Sequence, residues 1–346
     1  MAIFFDAPVS PDDITVFVRE VPIPANLTLS NLFPRRYVAD NKVDFMEIVH
    51  TNRTAKFRSY DGRIHVSSRD TGSEKFVKLP PLSSSLNMGE YERLQLEFAR
   101  NGGTNQQALA AAIYNDAQNL TQEVLNRMEL AWGDVMVDGK LSINENGLVS
   151  EADFGVPSTH IVAPLGALWS NTAASVPLSD MILWHDVYVA TNGFKAGSIR
   201  TSQAVMRLLT RNTEIINAIK GAAATVTRVT LQELNDLMAS EGLPTFGEPL
   251  DGSLDVDGVT TRVTPDDRVF FLPPTIADLG YTAYGLSATA LELVNANEAD
   301  MSFEEAPGIV GVVEKIGPPY RQFTFVDAVG MPILVNAKRL LVADVK

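Results

Sequence analysis

Apolar residues at Leu109, Ile113, Ala117, Leu120, Val124, Met128 and Ala131 recur at steps of three and four, the period of one helix face. The stripe predicts a helix over about Asn105–Trp132, capped by Thr104, roughly 40 Å long at about 1.5 Å per residue. Glu123 and Arg127, four apart in the favourable order, would pair along it. Ahead of this rod the pattern is β-like. Val43–His50 alternates in part, and Lys56–Tyr60 and Arg63–Val66 flank Asp61-Gly62. Asp-Gly suits the two positive-φ positions of a type I′ turn, so a hairpin is predicted, closed by Gly72 and Pro80-Pro81. Residues 82–103 read as a transition, with a short helix over Gly89–Arg100 that Asn87 caps and Gly102-Gly103 ends. Residues 1–42 hold Pro8, Pro11, Pro22, Pro24 and Pro34 with no sustained period. They read as an extended arm, since proline blocks helix continuation.

Beyond Gly133 the period changes. Val135–Ile143 and Leu148–Phe154 flank Asn144-Glu-Asn-Gly147, a second hairpin signal. Leu178–Trp184 forms one element and Thr201–Ile219 reads as one helix. Thr230–Ser240 carries a capping box, Thr230 with Glu233, and stops at Gly242. Val269–Leu272 is a strand ended by Pro273-Pro274. Three strands, Phe323–Val326, Pro332–Val335 and Arg339–Val345, fill the tail.

Composition narrows the class. At 346 residues with 45% apolar and 20% charged, the chain can bury a sizeable core and suggests two domains. No apolar run approaches the roughly 18–20 residues of a membrane span, and Met1–Phe5 followed by Asp6 lacks the features of a secretory signal. Zero cysteines exclude disulfides, thiolate metal sites and cysteine nucleophiles. The net charge of −14 is unevenly spread. Residues 35–78 hold ten Lys/Arg against six acids, and residues 233–267 hold nine acids against Arg262 alone. Opposite signs on surfaces that meet across a subunit contact would explain this, as would two solvated faces. An acidic chain argues against a high-affinity nucleic-acid groove.

Candidate chemistry is thin. His50, His65, His160 and His185 lack metal-ligand spacing. Trp184-His185-Asp186 has no nucleophile elbow beside it. Asp251–Asp257 resembles a calcium loop superficially, but its sixth and twelfth positions are wrong for one, and a solvated turn is expected. Neither a phosphate loop nor a dinucleotide fingerprint occurs. No cofactor, no metal and no catalytic residue are expected.

Taken in order, several stretches resemble the major capsid proteins of tailed bacteriophages, of the lambda type. They are Lys75-Phe-Val-Lys-Leu-Pro-Pro81, Asn105–Gly139 with Val135-Met-Val-Asp-Gly-Lys-Leu141, Arg268-Val-Phe-Phe-Leu-Pro-Pro274, Leu279-Gly-Tyr-Thr-Ala-Tyr-Gly285, Pro318-Pro319 and Gly330-Met-Pro-Ile-Leu-Val-Asn336. The resemblance implies the α+β Johnson fold. Its parts would be an N-terminal arm over 1–42, an extended loop over 43–85, and a peripheral domain over 86–160 and 305–346 that holds the spine helix. An axial domain would cover 161–304. It also implies a virion capsid, assembled in the host cytoplasm from hexamers and pentamers of this chain, enclosing double-stranded DNA without sequence reading. Partners would be a portal protein, a separate scaffolding protein and, where one is used, a decoration protein; no membrane is involved. The scaffold is expected to be separate because arm and loop use up the residues before the long helix. Arg53, Lys56, Arg58, Arg63 and Arg69 are the candidate intersubunit contacts, because their segment has few apolar residues to fix it. Two other classes stay open: a cellular nanocompartment shell of the same fold, and a soluble α/β enzyme.

Overall fold

The computed structural model describes residues 9–48, 72–91, 106–222, 225–295, 306–316 and 321–346. The N-terminal segment departs from the extended arm its prolines suggest. Ser10 caps helix α1 (Pro11–Glu20) by accepting from the Asp13 amide at 3.1 Å. Pro11 lies in the first turn, where its missing N–H removes no helical bond. Ile14 and Val18, one turn apart, are buried in the first core. Helix α2 (Thr28–Leu32) and strand β1 (Arg35–Tyr37) follow, and Phe33 between them stacks on Trp132 at 3.6 Å. Residues 11–37 are thus folded onto their own chain.

Strands β2 (Lys42–Ile48) and β3 (Gly72–Lys78) pair antiparallel, from Lys42↔Lys78 to Ile48↔Gly72. They are the stem of the expected hairpin; Asp61-Gly62 lies outside the described residues. Strand β4 (Pro81–Met88) occupies what read as a transition. Asn87, expected to cap a helix, pairs with Phe323 in the sheet instead. Most of the short helix expected over Gly89–Arg100 lies outside the described residues.

Helix α3 (Gln106–Asp138) runs unbroken for 33 residues, about 50 Å at 1.5 Å per residue. It passes straight through Gly133, where the sequence suggested an end. A Cβ at Gly133 would collide with the Val263 carbonyl oxygen, so close packing explains a glycine inside a helix. The helix stops at Gly139, whose φ of 74° suits only the left-handed region. Residues 135–138, expected as strand, are therefore helical. Strands β5 (Lys140–Glu145) and β6 (Leu148–Asp153) then form the predicted hairpin, turned by Asn146 and Gly147 at φ 48° and 81°.

Strand β7 (Ile161–Val162), helix α4 (Pro177–Asn192) and strand β8 (Ser198–Thr201) lead into helices α5 (Gln203–Leu209), α6 (Thr213–Lys220) and α7 (Leu231–Ser240). The single helix expected over Thr201–Ile219 is split because the Asn212 side chain accepts from the amides of Glu214 and Ile215 and starts α6 afresh. The capping box on α7 forms as expected, with Thr230 and Glu233 bonded reciprocally. Strands β9 (Ser253–Val256) and β10 (Val259–Arg262) make a tight hairpin in the stretch expected as a solvated turn. Strands β11 (Arg268–Leu272) and β12 (Gly280–Tyr284), helix α8 (Ala288–Asn295) and strands β13 (Val310–Ile316), β14 (Arg321–Leu334) and β15 (Leu341–Asp344) complete the described elements.

Two of the three expected tail strands merge into the 14-residue β14. Residues 321–329 of it are flanked by β13 and β4, while 330–334 pair with β12. Pro332 falls in the second half, where no pairing with β13 or β4 asks for its missing N–H. The order β1-β12-β14-β13, with β4 also on β14, builds one sheet. Helix α3 packs across it, burying Ile113, Ala117, Leu120, Val124 and Met128.

A second sheet, β7-β15-β11-β8, separates two cores. Along β11, Phe270 and Leu272 enter the first core while Val269 and Phe271 enter the second. Along β15, Val342 faces the first and Leu341 and Ala343 the second. This is the two-residue alternation of a sheet buried on both faces. The division does not follow the sequence boundaries at 161–304: Leu279, Ala283 and Tyr284 belong to the core around α3.

Candidate functional site

Arg53, Lys56, Arg58, Arg63 and Arg69, the contact residues suggested by sequence, lie outside the described residues. What the structure describes is their base. The β2–β3 ladder enters with Lys42 and Lys78 exposed, and Val43 and Leu79 buried against the first core. Asn41 fixes the entry: its Nδ2 donates to the Leu286 carbonyl at 2.7 Å, and its Oδ1 accepts from the Leu286 amide at 2.8 Å. The basic segment is thus anchored at its root by a side chain that satisfies both backbone groups of one residue, Leu286.

The acidic segment is partly neutralised within the chain. Asp251 meets Arg262 at 2.9 Å and accepts from the Gln203 amide. Asp266 meets Lys346 at 2.7 Å. Arg268 lies 3.0 Å from Asp267 and 2.7 Å from Asp344, close as ion pairs though not aligned as hydrogen bonds. Glu233 is bonded by Lys220 and by Thr230, which hold its carboxyl down at about 2. Asp236, Glu241, Glu248, Asp255 and Asp257 stay exposed with no ion pair to the described residues. Glu123 and Arg127, expected to pair on α3, instead reach Ser84 and Glu145, the latter at 2.8 Å.

The buried polar groups hold structure together. Glu129, fully buried on α3, accepts from the amides of Leu29 and Ser30 at 2.8 and 2.6 Å. It caps the first turn of α2 and ties the N-terminal segment to the long helix. Trp132 Nε1 donates to Thr282 Oγ1 at 2.9 Å. Trp169 Nε1 donates to Asp180 at 2.9 Å, yet burial still raises the Asp180 carboxyl above its ordinary range. His185 is buried, and burial and Lys195 lower its pKa against the pull of Asp186. Among the described residues no group of three His, Asp or Glu side chains could hold a metal ion. No helix among them is long and apolar enough to cross a membrane.

A groove of about 300 Å³ runs between α3, the start of β4 and the β5–β6 hairpin, lined by Pro80, Leu82, Met128, Leu141, Ile143 and Met331. Leu165 is 86% exposed and Val149 78%. Sequence reading missed both surfaces. The groove forms between distant segments, and single exposed apolar residues carry no periodic signal. Among the described residues the arrangement offers apolar surface and the exposed acids of 236–257.

The sequence profile described as Phage major capsid protein E matches residues 10–303. No curated protein matches the chain in sequence. In three dimensions the chain is similar to a prophage protein of E. coli CFT073 described as a capsid protein, at 13% identity and a TM-score of 0.63, covering 98% of this chain and 99% of that one. It is also similar to a phage-related protein of Bordetella bronchiseptica RB50, at 14% identity and a TM-score of 0.55, covering 98% of each.

Proposed function

The chain belongs to the phage major capsid protein E family, a structural major capsid protein with a capsid-subunit fold, and on that premise we propose that hexamers and pentamers of it close into an icosahedral shell around double-stranded DNA. The reading rests chiefly on the family match over residues 10–303. Within it the second core, built on α4–α7, serves as the axial domain, and the first core, built on α3 and the β14 sheet, as the peripheral domain. The role is structural rather than catalytic. A portal protein, a separate scaffolding protein and, in some shells, a decoration protein complete the assembly in the host cytoplasm.

The β2–β3 hairpin carries the proposed contact. Its root is fixed by Asn41, and at least two of Arg53, Lys56, Arg58, Arg63 and Arg69 meet carboxylates of an adjacent subunit. The exposed Glu241, Glu248, Asp255 and Asp257, which make no ion pair among the described residues, supply acids for such a partner. Each exposed pair would contribute only about 0–1 kcal/mol, so single variants should look nearly normal. Repetition around the shell multiplies the term. Changing Arg58, Arg63 and Arg69 together to Glu should leave a folded, soluble subunit with a low particle yield. Normal yield and normal heat resistance of those particles would reject the contact. Nuclease-protected DNA inside particles from infected cells is expected; a protein cargo in its place would indicate a nanocompartment shell.

A further inference from the structure

His160 sits where the chain crosses from one core to the other. Phe154, just ahead of it, is in the first core, and β7, just after it, joins the sheet between the two. Its fully buried ring places Nδ1 2.9 Å from the carbonyl oxygen of Leu340. Leu340 is itself a crossing point: its side chain lies in the first core and that of Leu341 in the second. The next contacts along the seam are the parallel pairs Val342↔Ile161 and Ala343↔Val162. With Nδ1–H donating to the carbonyl, Nε2 carries the lone pair. It is sealed from solvent with no hydrogen-bond partner among the described residues, as is the Tyr188 hydroxyl, whose ring stacks on the imidazole at 6.1 Å.

We propose that the His160–Leu340 contact is an acid-sensitive clasp between the two halves of the subunit. Neutral imidazole satisfies the site. Protonation would put a charge and a second N–H, on Nε2, into a pocket whose described residues offer that N–H no acceptor. The charged and titratable groups on the elements packed around it are already engaged or distant. On α4, Asp180 holds Trp169, Tyr188 is a neutral phenol, burial and Lys195 oppose a charge on His185, and Asp186 is exposed. On β15, Asp344 faces Arg268. On the 337–339 turn, Arg339 pairs with Asp278 at 2.6 Å and Lys338 brings no negative charge that could stabilise a cation. Strand β7 carries none. Burial lowers the pKa of His160 more strongly than the Leu340 carbonyl raises it. The sign follows: with the folded pKa below the unfolded value of about 6.5, the unfolded or opened form binds the extra proton. The clasp is fully stable above about 6.5 and weakens as pH falls below it, by up to about tenfold per pH unit in the closed-to-open ratio.

The test is amide hydrogen exchange on the unassembled full-length subunit from pH 7.5 to 5, corrected for intrinsic rates. Protection over 158–163 and 340–346 should fall relative to the middle of α3 as pH drops through about 6. His160→Asn keeps a side-chain N–H for the Leu340 carbonyl but cannot titrate, so it should abolish the local loss. His185→Asn should retain it. An undiminished loss in His160→Asn, or no local loss in the native chain, would overturn the clasp. Should His160→Asn fail to fold, ring-¹⁵N titration of the native chain decides, with peaks assigned through variants of His50, His65 and His185. A His160 ring still neutral and Nδ1-protonated below pH 6 supports it; protonation at about 6.5 or above refutes it.

Discussion

Glu129 and Gly133, one turn apart on the long helix, do different work that shows only when the whole chain is folded. The Glu129 carboxylate, fully buried, holds two amides of a segment 99 and 100 residues away. Glu129→Gln leaves one amide oxygen for two donors, and hydrogen bonds to charged groups contribute roughly 1.5–3 kcal/mol each. A loss of about that size in urea denaturation is expected, with faster exchange confined to residues 11–33. An unchanged midpoint would mean that α2 is held by Phe33 and Leu29 packing alone. Gly133→Ala is informative because two effects oppose. In an exposed helix Ala would add about 1 kcal/mol; here its Cβ meets the Val263 carbonyl oxygen, and overpacking typically costs about 1–3 kcal/mol. The second should win, so the variant should melt lower. A higher melting temperature would show that the β10 segment can move aside.

Among the elements, the long helix was the most legible. Its stripe at steps of three and four needs no tertiary knowledge, and Ile113, Ala117, Leu120 and Val124 are buried beneath it as the period requires. Leu120→Ala should cost about 2–5 kcal/mol, measured by urea unfolding, because the site is fully buried; a value below about 1 would place Leu120 at a surface. Its C-terminal end was misread because Gly133 looks like a stop, and only Val263 shows why it is not. The N-terminal helix was hidden by prolines, although Ser10-Pro11-Asp12-Asp13 is a helix-start pattern in its own right. Strand β4 was illegible for a different reason: Ser83, Ser84 and Ser85 carry no apolar alternation, and pairing with β14 imposes the strand. Of the proposed contact surface, the sequence showed the charge of the basic segment and the turn signal. Its root at Asn41 was not readable, since Leu286 is 245 residues away.

For the whole molecule, the sheet β7-β15-β11-β8, whose central strands β15 and β11 are buried on both faces, makes the two cores one unit, so loosening at the His160 seam would change their relation without unfolding either. An inner shell surface that does not grip phosphate should release its DNA readily. Purified subunits are accordingly expected to bind double-stranded DNA weakly, without the steep salt dependence of a protein that neutralises many phosphates; a steep slope in a filter-binding titration would contradict that. The central claim is that this chain is the wall of a shell. Electron cryo-microscopy of the purified protein, expressed alone and with the proposed scaffolding and portal proteins, tests it most directly. The account predicts closed icosahedral particles of hexamers and pentamers, with the β2–β3 hairpin of each subunit lying on a neighbour. Monomers or small oligomers alone, with that hairpin folded back on its own chain, would contradict it.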